Sequence, residues 1–404
     1  MKRGNQEAPI KYIHKYDQNL PISSIYYNSQ KSCYHGPMLE FQNIDKSDNK
    51  RRKLTEDQNS TENIKYLCSY DRKISFPNCK INEEEEAKKL DKFKSSISKI
   101  PFRDIKKSQP IKHNLLNYKT ENSKNAQYIL SNRSNQFIYE QIISKFDQII
   151  CIGTPKIHEM AISSSTKSIK SILLDIDQRF QCFWPESYFK FNMFNCHFFG
   201  DEKLIKFKKY FKENFREDKN ILVITDPPFA GQIPAFIDSL NWLFSKILPI
   251  KFDLENVKIA WIFPYFFEKE IQKLRRAVIF KDSEQNFLPI DFVVDYDNHP
   301  KYKNNLSGCR ASPVRIFTNL DLKNIEISKK YDPKIKKCQK CQVYRFFGAI
   351  HCDICGTCFG HEKMRFRHCK LCDKCVKEKW KHCKKCQRCL PDYHVCRSCV
   401  FVES

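Results

Sequence analysis

ILVITDPPF, residues 221–229, couples a strand-length apolar run to a stiff polar turn. An uninterrupted run of this kind suits a strand buried on both faces of a sheet. Comparable runs are QIICIG (148–153), SILLDID (171–177), VKIAWIFPYFF (257–267), FVVDYDN (292–298) and SPVRIFTNL (312–320). Charged stretches of helical length separate them. Such alternation predicts an α/β fold with a mostly parallel sheet, extending over residues 125–330.

Asp226 follows the run directly, where open α/β sheets collect their ligands. Pro227 and Pro228 fix two φ angles and remove two N–H donors. Asp226 and a proline carbonyl can both accept from one amino group, and Phe229 can stack on a flat ring. This combination suits a planar amine such as that of adenine. An amine conjugated to a ring is a poor nucleophile, and two acceptors would hold it in line with a sulfonium methyl. The plainer reading is a Pro-Pro turn whose aspartate caps a helix. Gly153 ends the run QIICI, where a doubly wound fold turns beneath its cofactor. Asp175 and Asp177 follow 22 and 24 residues later, suitably placed to accept from ribose hydroxyls. The full glycine-rich dinucleotide fingerprint is absent.

The chain has 404 residues, 41% hydrophobic, with 71 Lys+Arg against 47 Asp+Glu and a net charge of +24. That length allows several domains, and that charge points to an anionic partner, nucleic acid first. No apolar run reaches 18 residues, so no membrane span is expected. The first residues lack the apolar stretch of a secretory signal. The 20 cysteines therefore do not read as a disulfide framework: the clustered ones read as metal ligands, and the four scattered through the middle as small buried hydrophobes.

Thirteen of those cysteines fall between Cys338 and Cys399. Cys338-x-x-Cys341 comes first, then H-C-x-x-C-x-x-C three times, from His351, His368 and His382, and finally His394, Cys396 and Cys399. Interleaved sites account for this spacing. Cys338, Cys341, His351 and Cys358 would form the first, and Cys352, Cys355, His368 and Cys375 the second. Cys369, Cys372, His382 and Cys389 would form the third. Cys383, Cys386, His394 and either Cys396 or Cys399 would close the fourth. Separate C-x-x-C knuckles are the alternative. Four-ligand sites leave no open position, so these zincs are structural. Residues 331–404 carry 17 Lys+Arg against 7 Asp+Glu, with Phe366, Trp380 and Tyr393 among the cations. Basic residues interspersed with aromatics suit RNA. Near the other end, Cys33, His35, Cys68 and Cys79 could hold a fifth zinc.

NAQYILSNRS (125–134), CIGTPKIHE (151–159), LLDID (173–177), FNMFNCHFF (191–199), TDPPF (225–229), WIFPYFFE (261–268), VDYDNH (294–299) and SPVRIFTN (312–319) resemble, in order, the zinc-finger CCHC-domain ribosomal-RNA adenine methyltransferase family. CYHGP around Cys33 resembles a GRF-type zinc finger. The resemblance implies a Rossmann-like class I methyltransferase core that uses S-adenosylmethionine to methylate N6 of an adenosine in large-subunit ribosomal RNA. It implies a target-base pocket of Asp226, Pro227, Pro228 and Phe229. It implies cofactor contacts from Gln127, Tyr128, Arg133, Gly153, Thr154, Asp175, Asp177, Asn192, Met193, Phe194, Asn195 and Asp226. Five segments follow: a flexible 1–30, a GRF-type finger at 31–82, a charged helix and linker at 83–124, the methyltransferase domain at 125–330, and a zinc-binding RNA module at 331–404. Pre-ribosomal particles would be partners. Nuclear or nucleolar residence is expected, with the cytoplasm as a further location. The family carries a further C2H2-type finger, whereas residues 80–125 hold no cysteine and only His113. Rival functions are a non-catalytic RNA-binding scaffold, or methylation of DNA adenine or protein glutamine.

Overall fold

The structure is a computed structural model. It describes residues 27–42, 64–68, 78, 82–97, 128–164, 167–229, 231, 233–248, 252, 257–271, 287–299, 312–346, 348–360, 365–392, 394 and 396. Among the described residues no helix is long and apolar enough to cross a membrane.

A small antiparallel sheet comes first, from β1 (Tyr27–Cys33), β2 (Gly36–Gln42) and β3 (Ile64–Leu67). Helix α1 (Glu83–Ile97) follows, opening with four glutamates that suit the positive end of a helix dipole. The central domain then runs α2 (Asn132–Gln141), β4 (Gln148–Ile152), α3 (Pro155–Ile162), β5 (Lys170–Asp175), β6 (Tyr188–Lys190), α4 (Asp201–Asn214), β7 (Ile221–Thr225), α5 (Ile233–Lys246), β8 (Lys258–Pro264), β9 (Leu288–Ile290) and β10 (Val314–Thr318).

Its seven strands lie in the order β6-β5-β4-β7-β8-β10-β9. The first five are parallel, and β10 and β9 complete the sheet as an antiparallel pair. Strands β4 and β7 are buried along their whole length, as their apolar runs require. Two cores result, one on each face of the sheet. One gathers Phe137, Ile149, Leu173 and Phe292, the other Phe191, Phe207, Phe236 and Trp261. This is the doubly wound, Rossmann-like arrangement expected from the sequence. The order reverses between β4 and β7, so a crevice opens at the carboxyl ends of those two strands.

Two elements differ from the sequence reading. FVVDYDN (292–298) forms no strand; β9 precedes it. The segment instead crosses toward residues 129–131, where Ser131 N donates to the Asp295 carbonyl and Asp297 N to the Ile129 carbonyl, each at 2.9 Å. Its hydrophobics are buried by that packing rather than by a ladder. The three-residue β6 gave no apolar signal of strand length.

The described residues of the tail form four hairpins: β11 (Ile335–Lys337) with β12 (Tyr344–Phe346), β13 (Ile350–Cys352) with β14 (Thr357–Phe359), β15 (Phe366–Cys369) with β16 (Lys374–Lys377), and β17 (Trp380–Cys383) with β18 (Arg388–Pro391). Packing does not break at residue 330. Tyr331, Ile335 and Phe346 are buried in the same core as Phe137 and Phe292. Arg345 pairs with Asp291 at 3.6 Å, and Arg315 stacks over Phe346 at 5.1 Å.

Candidate active site

Gly153 and Asp226 end the two neighbouring strands at the reversal point. Asp226 N donates to the Ile152 carbonyl at 3.3 Å, and Gly153 N to the Leu174 carbonyl at 3.0 Å, which extends the ladder into the crevice. Gly153 has φ +66°, in the left-handed region, and a β-carbon there would stand 2.8 Å from Met193 Cε. The left-handed turn thus lets Met193 and the Asp226 backbone close tightly against Gly153. The turn after Asp226 is closed by Gly231 N donating to the Pro228 carbonyl at 2.7 Å.

Burial pushes the Asp226 carboxyl up to about 8, opposed by a hydrogen bond from Tyr296. The Tyr296 hydroxyl donates to both Asp226 oxygens, at 3.1 Å each. Aromatic rings line the rest of the cleft. Phe229 meets Phe263 edge-on at 5.6 Å and Tyr296 at 6.2 Å, and Tyr128 lies 4.3 Å from His299. Tyr128 is 43% exposed, whereas Tyr296 and His299 are buried. The arrangement can seat a flat ring with an amino group directed at a carboxylate.

The proposed cofactor residues divide. Asp175 is buried at the end of β5, and its Oδ1 accepts from Asp177 N at 2.9 Å. Asp177 caps the short 3-10 turn Gln178–Cys182 and pairs with Arg179 at 2.5 Å. Met193 and Phe194 turn toward the crevice, since β-carbons on Gly153 and Gly231 would strike them. Asn192 and Asn195 turn the other way, and both Nδ2 atoms donate to the His35 carbonyl at 2.9 Å. Thr154 is buried at the N-cap of α3, where its side chain makes no capping bond. Arg133 is committed to the fold: it pairs with Asp295 at 3.0 Å, donates to the carbonyls of Val293 and Tyr331, and stacks over Phe292 at 4.6 Å. Gln127 lies outside the described residues.

Sequence reasoning did not single out Tyr296 or His299. Both lie in VDYDNH; Tyr296 falls within the run 292–298 read as a strand, and His299 one residue beyond it. The available signal was a polar-aromatic cluster at the end of an apolar run.

A left-handed glycine turn at Gly153 and a buried acidic residue at Asp175, side by side at the carboxyl ends of neighbouring strands, fit a nucleoside-bearing cofactor. S-adenosylmethionine meets that description.

Among the described residues four ligand groups gather in the tail: Cys338, Cys341, His351 and Cys358; Cys352, Cys355, His368 and Cys375; Cys369, Cys372, His382 and Cys389; and Cys383, Cys386, His394 and Cys396. Within each, the ligand atoms all lie within 4.8 Å of one another. The sulfur pairs Cys341–Cys358 and Cys372–Cys389 stand 3.7 Å apart. Two thiolates on a tetrahedral zinc, with Zn–S near 2.3 Å, would stand about 3.8 Å apart. Zinc therefore fits. The hairpin register explains the partition: His351 faces Cys358, His368 faces Cys375 and His382 faces Cys389. Neighbours in a strand point to opposite faces, so Cys352 serves the next site. Outer imidazole nitrogens of His351 and His368 meet Asp353 at 3.7 Å and Asp373 at 3.5 Å, a common support for metal-bound histidine. Cys399 lies outside the described residues.

Cys33, His35 and Cys68 form a further group. Cys79, the expected fourth ligand, lies outside the described residues. This group packs against the β6 edge. Lys190 donates to the Tyr34 hydroxyl at 2.8 Å and pairs with Glu86 of α1 at 3.6 Å.

Residues 121–300 match the family described as "Probable N6-adenine methyltransferase". The chain is 39% identical over 262 residues to the rRNA N(6)-adenosine-methyltransferase ZCCHC4 of Xenopus tropicalis, covering 62% of this chain and 50% of that protein. It is 36% identical over 257 residues to the Homo sapiens protein of the same name, covering 60% of this chain and 47% of that one. The chain thus spans about half the length of the curated relatives it matches. With a doubly wound sheet, Asp226–Phe229 at its reversal point and four zinc-type clusters behind it, the α/β core of this chain is similar to the N6-adenine methyltransferase family over residues 121–300.

Proposed function

We propose that this chain methylates the N6 amine of an adenosine in ribosomal RNA, that of the large subunit, within pre-ribosomal particles in the nucleus or nucleolus. One observation carries the reading: the Asp226 carboxyl and the Phe229 ring share one cleft beside Gly153, at the reversal point of the sheet. Asp226 and a proline carbonyl accept the two amine hydrogens, which opposes delocalisation of the lone pair into the ring. The Phe229, Tyr128 and His299 rings hold the base and exclude water. S-adenosylmethionine supplies the methyl group. The proton leaves the amine after transfer, so no strong base is needed before attack. The base must be unstacked to enter, which favours a loop or bulge in RNA.

The basic tail, with Phe366 and Trp380 among its lysines, is assigned to RNA backbone and bases. The similarity to proteins named as rRNA N(6)-adenosine-methyltransferases and the net charge of +24 support RNA over a protein amide.

The test is methyl transfer from labelled S-adenosylmethionine to purified ribosomal RNA, with the modified base mapped. Phe229→Ala should cost more activity than Phe229→Tyr, since stacking is worth about 1–3 kcal/mol per base. Equal activity of the two variants would remove Phe229 from the base site. Label appearing in DNA or protein but not in RNA would overturn the substrate assignment.

A further inference from the structure

Tyr296 is built into the fold from two sides. Its backbone bridges Leu130, and the segment around it is fastened by the bonds between Ser131 and Asp295 and between Asp297 and Ile129. Asp295 in turn accepts from Ser131, Ser134 and Arg133. The ring is 1% exposed and edge-on to Phe229. From this fixed position its hydroxyl reaches both carboxylate oxygens of Asp226 equally, at 3.1 Å.

We infer that Tyr296 is a positioning residue for the methyl-transfer site, whose single phenolic proton, shared between the two Asp226 oxygens, fixes the carboxylate plane for the amine. The inference rests on the methyl-transfer reading above. A carboxylate on a strand end rotates about its terminal torsion, which is broad and roughly two-fold. A donor centred on both oxygens removes that freedom and leaves the outer lone pairs for the amine. The same bond offsets desolvation, which acts alone to raise the carboxyl. Besides Tyr296, the titratable or charged groups among the described residues around it include His299 and Tyr128, 5.7 Å and 6.4 Å from the Tyr296 ring, and Asp295, whose charge acts on the Tyr296 phenol. Among the described residues, only the Tyr296 hydroxyl is seen donating to the Asp226 carboxylate. The phenol itself stays protonated, since burial and the neighbouring carboxylates push it well above its ordinary value.

The test is Tyr296→Phe in the full chain, which keeps the ring and removes the hydroxyl. Three quantities are read: S-adenosylmethionine affinity, kcat across pH, and the coupling to Asp226→Asn. Cofactor affinity should stay within about twofold of wild type, because the hydroxyl faces the target side. The acid limb of kcat should move to higher pH by about one to two units, the equivalent of a hydrogen bond to a charged group. Asp226→Asn, which cannot ionise, should make the Tyr296→Phe effect largely disappear. An unmoved acid limb in an active variant overturns the positioning role, as does full additivity with Asp226→Asn. Wild-type protein that transfers no methyl group to RNA overturns the functional reading along with the inference, which separates the two failures.

Discussion

Gly153 lies so close to Asp226 that a β-carbon on the glycine would stand 3.3 Å from the aspartate's carbonyl oxygen. The two residues end neighbouring parallel strands, so the cofactor side and the base side of the crevice meet at this contact. Gly153→Ala adds left-handed strain of about 1–2 kcal/mol and presses on Met193 and the Asp226 backbone together. S-adenosylmethionine affinity should fall on the order of tenfold, with kcat reduced as well. Calorimetric titration checks the first, and unchanged affinity would show that no ligand approaches here.

Asp226→Ala should lower methyl transfer by about 10²–10³ while cofactor binding survives, as for loss of one transition-state hydrogen-bond partner. The pH dependence has a defined sign. A carboxyl raised to about 8 is mostly protonated at pH 7, and the neutral acid offers one acceptor fewer. Wild-type turnover should therefore climb as pH rises through about 8 and fall on acidification. Asp226→Asn should flatten that limb, and a rate profile of both proteins decides the matter.

Arg133→Ala should unfold rather than disarm the protein. Its ion pair with the buried Asp295 leaves an unpaired carboxylate when broken, a loss of about 3–5 kcal/mol. Urea denaturation should register that loss. If the variant kept its stability but lost cofactor affinity, Arg133 would belong to the binding site after all.

Elemental analysis of the purified chain should give four zincs for the tail and one for the Cys33, His35 and Cys68 group. Two or fewer in the tail would contradict the interleaved partition.

Truncation after residue 330 removes Tyr331, Ile335 and Phe346 from the central core. That chain should be strongly destabilised, since Phe→Ala alone costs about 3–5 kcal/mol in a core. Truncation after Gly360, with Cys352 and Cys355 changed to serine, keeps the first zinc group whole. It should bind S-adenosylmethionine normally and bind RNA less tightly. Equal RNA affinity in the Gly360 truncation and the full chain would take the outer hairpins out of RNA recognition.

Strands β4, β5, β7, β8 and β10 were legible because residues buried on both faces write continuous apolar runs. FVVDYDN wrote the same signature for a different reason, as Phe292 and Val294 are covered by packing while Asp295 turns to Arg133. The metal partition was legible because period-two alternation assigns consecutive His351 and Cys352 to different faces. The roles of Asn192, Asn195 and Arg133 were not, because their partners lie more than 150 residues away in the chain. No local pattern encodes a bond from Asn195 to the His35 carbonyl. Tyr296 escaped notice likewise: its hydroxyl acts on a residue 70 positions earlier.

The alternation of ligands along the tail has a mechanical consequence. Each of the middle hairpins grips two ions, one on either face, so no ion can leave without loosening the hairpin its neighbour depends on. The tail is then a row of linked clasps with nearest-neighbour coupling. One end is anchored, because Ile335 and Phe346 are set into the central core. Stripping by a chelator should start at the Cys396 end and run inward as a steep, collective release, with the Cys338 clasp the last to open.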